Sequence, residues 1–148
     1  MQVQPQAYAG SMRRMEPEVV LVDRWRSLLS SYNEIAGQLE RSLQEAHGLT
    51  MSDFETLDRL TTADCDKRRM QDLAAAMYLS QSALSRTVAR LEKQGLVERT
   101  HCLDDRRGVY VALTNQGRTR HQEAKKTQLS VLSTHLTQPP EAVAQVPQ

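Results

Sequence analysis

A mainly α fold is predicted by three observations: two short amphipathic helical patterns joined by three residues, an arginine-tipped hairpin pattern directly after them, and long helical patterns on either side. Together they describe a winged helix-turn-helix head with a two-stranded β-wing, carried by long N- and C-terminal dimerisation helices. The 148 residues suit one such domain, and 39% hydrophobic with 25% charged content is that of an ordinary soluble globular protein.

Residues 1–15, with Gly10 and scattered glutamines, read as a flexible N-terminal tail. A helix then runs over residues 16–46, opened by Pro17, whose fixed φ and missing N–H suit a first helical turn. Leu21, Trp25, Leu28, Tyr32, Ile35 and Leu39 recur at alternating steps of four and three, a seam of the coiled-coil type that Leu43 continues. Val22, Leu29 and Ala36 widen this stripe beyond what one neighbour in so small a domain would cover. A partner chain is the expected cover, and the competing reading is a core helix packed within its own chain. Gly48 ends the helix. The next is expected to start at the capping box Ser52-Asp53-Phe54-Glu55 and to turn Phe54, Leu57 and Leu60 inward as far as about Thr62.

Residues 50–114 read as the winged helix-turn-helix lobe. Gln71 to Leu79 carries Leu73, Ala74 and Met77 at helical spacing, with Ala75 and Ala76 small enough for a close helix crossing. Tyr78-Leu79-Ser80 is the short joint. Ser80 then caps a helix from Gln81 to about Gln94, which Gly95 stops. Leu84, Val88 and Leu91 share one face, which goes inward. Ser82, Arg86, Ala89 and Lys93 lie opposite, flanked by Ser85 and Arg90, so the outer face is small and polar at its start and cationic further on. Such a face lets a backbone approach base edges and offers arginines to guanine. A solvated amphipathic helix reads the same way in isolation.

Leu96 to Thr100 suits a strand, and Val109, Val111 and Leu113 alternate with Tyr110 and Ala112 as a second. The polar turn Leu103 to Gly108 joins them into a hairpin whose tip holds Arg106 and Arg107. Arginine is drawn to narrow minor grooves, and Asp105 stands two residues from Arg107, where the pair can hold the guanidinium in one pose. Thr114 is a candidate cap for a second dimerisation helix over residues 115–136. Pro139, Pro140 and Pro147 make residues 137–148 a short or disordered C-terminal tail.

L-E-K-Q-G-L-V-E-R at Leu91 to Arg99, followed by D-D-R-R-G-V-Y-V-A-L-T at Asp104 to Thr114, resembles the winged helix of the MarR family, the multiple antibiotic resistance regulators. More loosely the likeness extends over about Pro17 to Leu136. The resemblance implies a homodimer that binds palindromic operator DNA and represses transcription until a ligand or oxidant intervenes. It places Gln81, Ser82, Ser85, Arg86 and Arg90 at the major groove, and Arg107, oriented by Asp105 and beside Arg106, at the minor groove. A small aromatic or amphipathic effector would be lined by Trp25, Leu29, Tyr32, Met51, Phe54 and His121. Peroxide-sensing relatives use a cysteine early in the first helix, and here the first cysteine is Cys65. Cys65 and Cys102 are expected to be structural or incidental. The proline-rich end departs from the family, in which a final helix completes the dimer interface.

The remaining features exclude other classes. No apolar run has membrane-spanning length and no signal-peptide layout opens the chain, so a cytoplasmic location without membrane contact is expected. Net charge is only +1, yet from Arg68 to Arg107 eight basic residues stand against five acidic ones. Distribution matters more than the sum for a nucleic-acid partner. His47, His101, His121 and His135 show no helical two-histidine spacing, which argues against a zinc site, and neither a phosphate-cradling glycine loop nor a nucleophile frame points to an enzyme or a cofactor. The rival to DNA binding is a winged helix used for protein contact.

Overall fold

In a computed structural model the described residues are 17–63, 66–102 and 105–136, with the backbone alone described at 102 and 105–107. The expected tails at 1–15 and 137–148, together with Cys65 and Asp104, lie outside them. Two units are distinguished, one ending at Glu34 and one starting at Ile35. The helix α1 (Pro17–His47) contributes residues to both. In the first unit Leu21, Trp25, Leu28 and Tyr32 are all 60% exposed or more. In the second, the same seam is covered within the chain, because Leu39 and Leu43 are buried.

Gly48 turns the chain with φ +65°, and Leu49 drops into the core before α2 (Met51–Thr61). The capping box is not the expected one. Thr50 Oγ1 accepts from the Asp53 amide at 3.0 Å, and Asp53 Oδ2 accepts from the Thr50 amide at 3.0 Å. Threonine and aspartate at this spacing satisfy the same two free amides as serine and glutamate. The helix therefore starts two residues earlier, directly after the buried Leu49. Glu55, expected in the box, instead pairs with Arg59 one turn on at 2.8 Å.

A short strand β1 (Lys67–Arg69) precedes α3 (Met70–Ala76), α4 (Gln81–Lys93), β2 (Val97–Cys102), β3 (Asp105–Leu113) and α5 (Asn115–Leu136). The sheet has three strands in the order β1-β3-β2, all antiparallel, so the expected two-stranded wing gains an edge strand. Three cationic residues carry no apolar alternation by which a strand is recognised. The hairpin is also tighter than expected. Cys102 pairs with Asp105 after an irregularity at His101/Cys102, which draws Asp105, Arg106 and Arg107 into the backbone of β3. Register, supplied by the neighbouring strand, extends β3 through residues whose polarity reads as turn.

One cluster holds the second unit together. Phe54, Leu57 and Leu60 from α2, Leu73 from α3, Leu84, Val88 and Leu91 from α4, and Val111 from β3 are at most 1% exposed. Each such side chain contributes about 2 kcal/mol by leaving water. Two close backbone contacts then fix α5. Thr114 Oγ1 donates to the Gly95 carbonyl at 2.7 Å and accepts the Gly117 amide at 3.0 Å, which caps the helix as expected. Gly117 lies so near Leu96 that a Cβ would clash with its carbonyl oxygen.

Candidate nucleic-acid interface

The outer face of α4 is built by what its inner face does. Ser80 Oγ accepts from the Ala83 amide at 3.1 Å and starts the helix. Leu84, Val88 and Leu91 are fully buried, and Thr87, also buried, returns its hydroxyl to the Ala83 carbonyl at 3.1 Å. At the far end Gly95, with φ +73°, closes the helix through Gly95 N to Glu92 O at 2.9 Å and Leu96 N to Leu91 O at 3.0 Å. This is the paired closure that a left-handed residue permits. Gln81, Ser82, Arg86, Ala89 and Lys93 are consequently exposed along one side, and Ser85 is half-buried beside them.

Arg90 is placed differently from the other candidates. Its Nη2 donates to Asp53 Oδ1 at 3.0 Å and to Thr87 Oγ1 at 3.3 Å. Asp53 is only 2% exposed, and its other oxygen caps α2. Arg90 therefore ties α4 to the start of α2. Arg99 makes the equivalent tie from the sheet, with Nε 2.9 Å from Glu92 Oε1 and Nη2 3.2 Å from the Ser85 carbonyl. A helix braced on both flanks presents its free face as a rigid surface. Asp105, Arg106 and Arg107 begin β3 at the hairpin end, and their side chains lie outside the described residues.

The joint before α4 carries a feature without a sequence signal. Tyr78 has φ +55°, a left-handed conformation that costs a residue with a Cβ about 1 to 2 kcal/mol. It closes α3 through Tyr78 N to Ala75 O at 3.3 Å and Leu79 N to Ala74 O at 3.0 Å, and the residue is 97% exposed. Glycine or asparagine ordinarily marks such a site, so a tyrosine there goes unnoticed.

Of the candidate effector residues, Phe54 and His121 are brought together and stack with ring centroids 5.5 Å apart and planes 8° from parallel. His121 Nε2 lies 2.7 Å from Asp58 Oδ1, which also accepts from Lys125 Nζ at 3.1 Å. Burial alone would push the Asp58 carboxyl up, but the bonds and charges of His121 and Lys125 outweigh it and hold the group below its ordinary value. Met51 is half-buried at the start of α2, where its amide donates to Glu40 Oε2 at 2.7 Å. Trp25, Leu29 and Tyr32 belong to the first unit and are exposed.

Residues 49–109 match the model of the MarR family. AbsC, a MarR family transcriptional regulator of Streptomyces coelicolor, is 35% identical, with 78% of each chain covered and a TM-score of 0.74. Sco3205, a MarR family transcriptional regulator of the same organism whose crystal structure is a complex with DNA, is 28% identical. That likeness covers 88% of this chain and 80% of Sco3205, with a TM-score of 0.77. The HTH-type transcriptional regulator YdgJ of Bacillus subtilis is 31% identical over 98 residues, which make up 66% of this chain and 57% of YdgJ.

Proposed function

Because the chain belongs to the MarR family of transcriptional regulators, we propose that it binds double-stranded DNA sequence-specifically, as a homodimeric repressor of a palindromic operator. The observation that carries this reading is the outer face of α4, where Gln81, Ser82 and Arg86 are exposed on a helix braced from both flanks. Amide, hydroxyl and guanidinium groups on one rigid face are what major-groove edges require. Ser85 stands beside them, and Arg106 and Arg107, with Asp105 to orient the latter, would serve the minor groove from the start of β3. Sco3205, which takes the same fold, has been crystallised with DNA.

The dimer is supported by the exposed seam Leu21, Trp25, Leu28 and Tyr32, each a large apolar group facing water in a single chain. Contiguous apolar surface of this kind marks an interaction site. A second copy covers it in a self-complementary way and sets two recognition helices about one helical turn apart on DNA. A small aromatic or amphipathic effector would release the operator. An effector that takes His121 Nε2 displaces it from Asp58 Oδ1, and so competes with the tie between α2 and α5. Among the described residues no helix is long and apolar enough to cross a membrane.

Selection of bound sequences from random duplex DNA at near-physiological salt tests the reading. Enrichment of an inverted repeat is expected, and Arg107→Ala should weaken its binding and reduce the salt dependence of the affinity. Recovery of no inverted repeat would sink the proposal and favour a winged helix used for protein contact.

A further inference from the structure

Three helices end on a left-handed residue followed by a leucine: α1 at Gly48-Leu49, α3 at Tyr78-Leu79 and α4 at Gly95-Leu96. The last two are the same closure. Tyr78 N bonds to Ala75 O and Leu79 N to Ala74 O, just as Gly95 N bonds to Glu92 O and Leu96 N to Leu91 O. Glycine fills the left-handed position without a steric cost, and a bulky side chain does not. Tyr78 regains little of that cost by packing, because it is 97% exposed. Asp66, the other non-glycine residue with positive φ among the described residues, holds Arg118 of α5 in an ion pair. Tyr78 has no side-chain tie of that kind among the described residues. Backbone strain that persists without an internal contact to justify it is characteristic of sites that hold a ligand.

We propose that Tyr78 is a further DNA contact, its phenol hydroxyl donating to a backbone phosphate at the edge of the major groove. The inference rests on the DNA-binding reading and adds a residue that belongs to neither the recognition helix nor the wing. Position selects the phosphate. In a helix-turn-helix the first helix crosses the sugar-phosphate backbone and the second sends its N-terminal residues to base edges, so the joint between them stands where backbone borders groove. Tyr78 lies in that joint, directly after α3 and its cap and two residues before Ser80, the cap of α4. Its chemistry fits the place. Tyrosine hydroxyls are among the groups that bond phosphate oxygens, and the rigid ring loses little freedom when it is ordered. The two closing hydrogen bonds hold the backbone from which the ring projects. A hydroxyl carries no charge and displaces no counterion, so this contact adds affinity without adding salt dependence. It carries no sequence preference either.

The test compares the full chain with Tyr78→Phe, Tyr78→Gly and Arg107→Ala, each titrated against salt on the selected inverted repeat and on an unrelated duplex. Tyr78→Phe should keep the parent's melting temperature and bind both duplexes about tenfold more weakly, the weight of one hydrogen bond to a charged group. Its salt slope should equal the parent's, whereas Arg107→Ala lowers the slope. Tyr78→Gly should melt a few degrees higher, because it relieves the left-handed site, and should bind no better than Tyr78→Phe. A variant that is more stable and binds less well separates contact from folding. Neutral methylphosphonates introduced singly along the repeat should reveal a position in each half-site where replacement weakens the parent but not Tyr78→Phe. Parental affinity in Tyr78→Phe would overturn the proposal and leave the ring to a protein partner. A loss confined to the inverted repeat would overturn it too, by making Tyr78 a reader of bases. If the parent enriches no inverted repeat, the functional reading fails by itself and the unrelated duplex still decides the contact, whereas a parent that binds neither duplex overturns both.

Discussion

Two aspartates on α2, little more than one turn apart, hold the head to its neighbours in different ways. Asp53 is sealed in at 2% exposure, caps its own helix and grips Arg90 of α4, so one carboxylate fixes both the start of α2 and the tilt of the proposed recognition helix. Asp58 is more open, and it gathers His121 and Lys125 of α5 around a single oxygen. Asp53 thus serves the face that would meet DNA. Asp58 serves the helix expected to dimerise. The difference separates rigidity of the reading head from a tie that protonation can loosen.

The largest effect is expected at Asp53. Asp53→Ala removes half of the capping box and the acceptor for Arg90, whose own side chain is 47% exposed and can be rehydrated. A loss of about 2 kcal/mol in unfolding free energy follows from the cap and the hydrogen bond together. Urea unfolding followed by far-ultraviolet circular dichroism measures it. A loss as small as that of an exposed ion pair, under about 0.5 kcal/mol, would remove the distinction between the two aspartates.

Much of this arrangement was legible before any coordinates. The steps Leu84-Val88-Leu91 and Phe54-Leu57-Leu60 point inward as their spacing predicts, and Ser80, Gly95 and Thr114 start and stop helices where their backbone chemistry places them. These are local signals, set by residues within one or two turns. What the pattern hid is either ambiguous or distant. Thr50 with Asp53 and Ser52 with Glu55 are overlapping capping frames, and only the burial of Leu49 chooses between them. β1 is three charged residues recruited by pairing with β3. The partners of Asp58 lie 63 and 67 residues away, and Arg90 finds Asp53 across 37. No periodicity encodes contacts at that separation, so Arg90 reads as a base contact when α4 is considered in isolation.

At Asp58 the expected effect is smaller and depends on pH. Its folded-state carboxyl lies below the ordinary value of 3.8, because the contacts with His121 and Lys125 outweigh the opposing effect of burial. A depressed carboxyl stabilises the fold above its unfolded-state value and loses that contribution as pH falls through the folded-state value. Asp58→Asn should therefore cost about 1 kcal/mol at pH 6, with the gap from the parent closing as pH drops below 3.8. Unfolding curves taken between pH 6 and pH 3 read this directly. A gap that stays constant over the range would mean that Asp58 acts by shape rather than by charge.

The smallest effect on stability sharpens the comparison most, because it sets two arginines of one helix against each other. Arg86 is exposed on the outer face of α4, whereas Arg90 is engaged by Asp53 and Thr87. Arg90→Gln should lower unfolding free energy by about 0.5 to 1 kcal/mol, the range of a half-exposed ion pair with added hydrogen bonds. Arg86→Gln should leave it unchanged, as surface substitutions away from such contacts do. Binding to the selected duplex should rank them the opposite way. Loss of a base contact costs Arg86→Gln about 1 to 3 kcal/mol and relaxes the preference at one position in each half-site. Arg90→Gln should weaken all sequences by less, and adding Asp53→Asn to it should cost little more, because the two side chains act as one contact. Equal losses of sequence preference in the two arginine variants would return Arg90 to the DNA-reading face and leave Asp53 as a cap alone.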